Sequence, residues 1–62
     1  MTIIESLSEE AYHEVRRLLD QLHVWYTCND RSRRVTVKFA VGQEHPLFWD
    51  AVAKLGCTTR EL

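Results

Sequence analysis

A chain of 62 residues, 45% hydrophobic and 27% charged, is globular in composition and sits at the lower limit of what one core holds together, since a domain of this size hides only about 60% of the surface its unfolded chain exposes. One domain over residues 1–62 is therefore expected, and no apolar run approaches the roughly 18 residues of a membrane span. The formal net charge of −1 argues against a general polyanion binder. The signs are nonetheless segregated: Glu5, Glu9, Glu10, Glu14 and Asp20 outnumber Arg16 and Arg17, whereas Arg31, Arg33, Arg34 and Lys38 are opposed by Asp30 alone. Such a two-ended charge distribution steers a partner or aligns two copies.

Met1-Thr2-Ile3-Ile4-Glu5 has neither a basic nor a long apolar stretch, which predicts no signal peptide and a cytoplasmic, reducing environment. Cys28 and Cys57 are then free thiols. With no C-x-x-C pair they make neither a disulfide framework nor a zinc motif, and a single bridge between them is expected only in a secreted chain.

Thr2-Ile3-Ile4 is short and strongly β-forming, which predicts a first strand. Over residues 7–23, Leu7, Ala11, Val15, Leu18, Leu19 and Leu22 fall on one stripe of a helix. Its start carries two marks: Ser6-Leu7-Ser8-Glu9 has the form of a capping box, and Ser8 as N-cap lets Leu7 staple onto Tyr12. Arg16 with Asp20 and Glu14 with Arg17 are spaced to pair on the wet face.

The period then changes to two. His23 to Cys28 is β-branched and aromatic, and Arg34 to Val41 alternates. A hairpin follows, turning at Asn29 to Arg33, with Cys28 facing Val35, Tyr26 facing Val37 and Val24 facing Phe39. Gly42 to His45 breaks the strand, and Pro46 suits the first position of a second helix running to Leu55. Phe48, Ala51, Val52 and Leu55 form its inner stripe, and Gly56 closes it. Leu55 to Leu62 has the form of a helix-turn-helix beginning, with Thr58 to Glu61 as a second T-x-x-E box. It stops short of a recognition helix.

The fold class expected is α+β in the order β-α-β-β-α, a three-stranded antiparallel sheet with both helices on one face and the third strand in the middle. In element order alone this is similar to a ferredoxin-like fold lacking its last strand.

That architecture leaves one sheet face open, carrying Trp25, Thr27, Thr36, Lys38 and Ala40 with either Ile3 or Ile4. It is expected to be covered by another chain, a second copy first, because large apolar patches on small proteins mark interfaces and Trp is enriched at hot spots. The competing reading stacks Lys38 on Trp25 and leaves the face wet. Trp49 lies beside the inner stripe of the second helix, as a core-edge residue or a second anchor for a partner.

Arg31, Arg33, Arg34 and Lys38 near Trp25 resemble the basic and aromatic surfaces that bind single-stranded nucleic acid. His13, His23, His45, Cys28 and Cys57 are not spaced as metal ligands on any one element. No nucleophile with a base, carboxylate pair or glycine-rich cradle is present, so neither catalysis nor a cofactor is expected. The function expected is that of a small non-catalytic inhibitor or adaptor that binds a larger protein and self-associates, with nucleic-acid binding as the alternative.

Overall fold

In the computed structural model, which describes residues 1–62, the alternation of the first strand decides the layers. Thr2 and Ile4 are fully buried, and Ile3 and Glu5 lie on the other side, half exposed. This strand, β1 (Thr2–Glu5), is followed by α1 (Glu9–Leu22), β2 (Tyr26–Asn29), β3 (Arg34–Val37), α2 (Pro46–Lys54) and β4 (Thr58–Glu61). The class is α+β. The sheet has four strands in the order β2-β3-β1-β4, every neighbouring pair antiparallel.

The expected three-stranded sheet is therefore corrected to four, and the arrangement lacking a last strand is not the one adopted. Thr58 to Glu61, read from its T-x-x-E spacing as a helix start, is β4, with Thr2 opposite Glu61 and Glu5 opposite Thr58. A capping signature is a local preference, whereas β1 without a second neighbour would expose a row of unpaired backbone groups on its outer edge. Pairing prevails, and the β-branched Thr58 and Thr59 suit a strand. Beyond the ladder the register continues, since the Leu62 N–H donates to the Met1 carbonyl at 2.9 Å.

Ser8 caps α1, its hydroxyl accepting from the Ala11 N–H at 3.2 Å. The staple does not form: Leu7 is 79% exposed, and Tyr12 turns into the core instead. Glu14 pairs with Arg17 as expected. Arg16 does not pair with Asp20: it lies 3.6 Å from Asp30, and Asp20 accepts from the Tyr26 hydroxyl at 2.7 Å. The hairpin register is the expected one, with Cys28 opposite Val35 and Tyr26 opposite Val37. Its turn is held by Asn29 Oδ1, which accepts from the Arg31 and Ser32 N–H groups, and by Arg33 in the left-handed region at φ 53°.

β3 ends at Val37, four residues before the expected Val41, because the Thr2 hydroxyl donates to the Phe39 carbonyl at 2.9 Å and the chain bends there. α2 begins with Pro46 at its first turn and ends in a Schellman motif, the Cys57 N–H reaching the Val52 carbonyl and the Gly56 N–H that of Ala53, with Gly56 at φ 76°. His45 occupies the N-cap position in the left-handed region, and its side chain caps nothing.

The core draws on both helices and one sheet face: Ile4, Val35 and Val37 from the strands, Tyr12, Val15 and Leu19 from α1, and Phe48, Trp49 and Val52 from α2. Trp49 is 8% exposed and packs edge-on against Phe39 and Phe48. Of its two expected places, core edge or second anchor, the packing is that of a core residue. Cys28 has the inward register but stays exposed, because it lies on an edge strand.

The Trp49 indole N–H is buried without a partner, a defect that costs about 1–3 kcal/mol. Trp49→Phe removes that donor while keeping most of the aromatic packing. It should change stability by less than about 1.5 kcal/mol, a shift in melting temperature below about 12 °C, whereas Trp49→Ala should cost about 3–5 kcal/mol. Thermal unfolding followed by circular dichroism distinguishes the two.

Candidate functional site: the open sheet face

Because α1 and α2 both pack on the face carrying Ile4, Val35 and Val37, alternation sends the other residues of each strand to a face that no element covers. The ladder sets them in rows. Thr27, Thr36, Ile3 and Arg60 lie side by side across β2, β3, β1 and β4, and one row along come Asn29, Arg34, Glu5 and Thr58. Continuing the register past the opposite ends of the strands gives Trp25, Lys38, Met1 and Leu62. This last row is apolar apart from Lys38, with Trp25 47%, Met1 54% and Leu62 71% exposed.

The structure therefore brings Trp25, Thr27, Thr36 and Lys38 together as expected, and assigns Ile3, not Ile4, to this face. Lys38 Nζ sits 4.7 Å from the centre of the Trp25 ring, a contact worth about 0.5–1 kcal/mol at an exposed site. Ala40 lies outside the strand rows, although it borders a shallow depression shared with Met1 and Lys38. It lies in the loop after the bend at Lys38 and Phe39, its carbonyl accepting from the Gln43 N–H. Met1, Arg60 and Leu62 were missed because the last strand was missed: Thr58 to Glu61 is polar or charged throughout and exposed along its length, so no alternation marks it.

The basic residues of the hairpin do not form one patch. Arg33 is half buried and clasps the end of β1, its Nε donating to the Ser6 carbonyl at 3.2 Å while its own carbonyl accepts from the Ser6 N–H. Arg34 lies 3.5 Å from Glu5, its cross-strand neighbour, and Lys38 is on Trp25. Arg31 alone of the four has no side-chain hydrogen bond, ion pair or cation–π contact.

Behind the sheet, a polar network ties the hairpin to α1. The buried Tyr12 hydroxyl donates to Asp30, Arg16 lies beside Asp30 and over the Tyr12 ring, and Tyr26 donates to Asp20. Burial first, then the bond to Asp30, pushes the Tyr12 phenol well above its ordinary range. The bond to Asp20, then burial, raises Tyr26. The hydrogen bond with Tyr26 raises Arg16 further above its already high value. No group of three or more His, Cys, Asp or Glu side chains converges anywhere in the chain. Comparison of the chain with protein-family models, with curated proteins and with solved structures finds no match.

The network sets a pH dependence. In the unfolded chain both tyrosines ionise near their ordinary value of 10.0, whereas in the fold they keep their protons to higher pH, so the unfolded state loses protons first. Stability is then fully present below about pH 10 and falls as pH rises beyond it. Denaturant unfolding between about pH 9 and about pH 11.5 should show that fall. Tyr12→Phe should flatten it while costing about 1–2 kcal/mol at neutral pH.

Proposed function

We propose that this chain is a small non-catalytic interaction protein whose binding surface is the open sheet face, and that it self-associates through that face and presents itself to a larger protein partner. The observation that carries this reading is the exposed apolar row of Trp25, Met1 and Leu62 on the one side of the sheet that no helix covers. Exposed aromatic and aliphatic anchors set beside a half-buried Ile3 are what a desolvated contact requires.

Area supports the reading. A standard interface takes roughly 800 Å² from each partner, about a fifth of this chain's 4204 Å². One side of a body measuring 26 × 21 × 20 Å is close to that share. The nucleic-acid alternative is less well supported, because Arg33, Arg34 and Lys38 are already engaged within the chain, and a phosphate would have to displace those contacts.

Solution mass by light scattering tests the proposal. The wild type should be a dimer at about 0.1 M and about 1 M salt, because an apolar contact is little affected by screening. Trp25→Ser should give a folded monomer. A mass unchanged by Trp25→Ser would rule the face out, and a monomer whose oligonucleotide affinity falls steeply with salt would assign the face to nucleic acid.

A further inference from the structure

The rows of the open face are complementary to themselves in one orientation. We infer that two copies stack sheet on sheet about a two-fold axis parallel to the strands, over the seam between β3 and β1, so that each Arg34–Glu5 pair lies head to tail on its symmetry mate. This rests on the reading of the open face as a self-association surface and specifies its geometry.

Rotation about that axis carries β2 over β4 of the second copy and β3 over β1, and leaves the rows in place. From the order β2-β3-β1-β4 and its register, Trp25 then covers the second copy's Leu62, Thr36 covers its Ile3, and Arg34 covers its Glu5. Lys38 covers its Met1 while keeping its ammonium on Trp25. Thr27 meets Arg60, which lies on an edge strand at the rim. Apolar residues fall on apolar ones or on uncharged stems. Arg34 and Glu5, 3.5 Å apart within one chain and both part exposed, meet a reversed pair and close an alternating ring of four charges.

The other in-plane two-fold, running across the strands, maps each strand onto itself and reverses the rows. It places Arg60 on Arg60 and, twice by symmetry, Lys38 on Arg34, three like-charge contacts where the first axis has none, and it leaves Trp25 facing Asn29. Juxtaposed like charges across an interface cost several kcal/mol. Stacked sheets lie about 10 Å apart and within about 30° of alignment, so long side chains such as Arg34 and Glu5 bridge the offset that sheet twist introduces. Charge order thus selects one axis, and the apolar row reinforces the choice.

Charge reversal separates this contact from the bond inside the chain. Glu5→Arg gives a copy with two cations at this site, and Arg34→Glu a copy with two anions. Each alone should lose about a hundredfold or more in dimerisation constant. Mixed one to one, they should recover a dimer as the heterodimer, although both chains still lack their internal pair. The double variant Glu5→Arg with Arg34→Glu should dimerise like the wild type.

Light scattering and native mass spectrometry give these readouts, with circular dichroism checking that each chain is folded. If a single reversal does not fold, Glu5→Gln and Arg34→Gln replace it, each expected to weaken the dimer about tenfold. Reversals that leave the dimer intact, or a mixture that stays monomeric, would overturn the axis. The face itself would still stand if Trp25→Ser dissociates the wild-type dimer. A wild type that is monomeric at all concentrations would overturn both.

Discussion

The contact on which the rest of this molecule depends is the packing of one helical layer on the inner face of β1 and β3, where Ile4, Val35 and Val37 have no exposed surface. Two helices supply a layer for one face only. Their aromatic and aliphatic residues, with Tyr12, Leu19, Phe48 and Trp49 the largest, are used there, and neither helix packs on the opposite side. A chain of this length hides a smaller share of its surface than a larger domain does. An uncovered sheet face is the structural form that shortage takes here.

Polar contacts concentrate where the hairpin and the helices meet, and they hold the sheet in the register that creates the outer rows. Tyr12 and Arg16 converge on Asp30 at the hairpin turn, Tyr26 reaches Asp20, Arg33 clasps Ser6, and Thr2 stops β3 at the Phe39 carbonyl. Each lies on or behind the strands. The open face is left with Thr27, Thr36, Ile3 and Arg60 in its middle row, an ion pair at one end and an apolar row at the other. This is an asymmetric pattern, and the asymmetry gives a two-fold pairing a preferred direction.

The helices and the hairpin were legible because their signals are local. Ser8 marks the helix start, Pro46 and Gly56 bracket α2, and the alternation at 34–37 sets the pairing of Tyr26 with Val37. Trp25 and Lys38 were legible as neighbours for the same reason. What was not legible depended on contacts between distant segments. Nothing near Thr58 announces that β1 needs a second neighbour, and its T-x-x-E spacing points to a helix. Nothing near Trp49 shows that Phe39, ten residues earlier, packs against it. Leu7 fits a staple in sequence yet stays exposed, because Tyr12, its intended partner, is drawn into the core and held by Asp30, eighteen residues away.

The central claim is that Trp25 leaves water when two copies meet. In the Trp49→Phe background Trp25 is the only indole, and its emission can be followed while the protein is diluted from about millimolar to about nanomolar concentration, a range that spans typical dimer affinities. Burial of Trp25 gives blue-shifted emission at high concentration, moving to the red in one transition that coincides with the halving of the mass. Emission that stays red and constant throughout, while the mass is that of a dimer, would mean that the copies meet elsewhere and that the open face is not the interface.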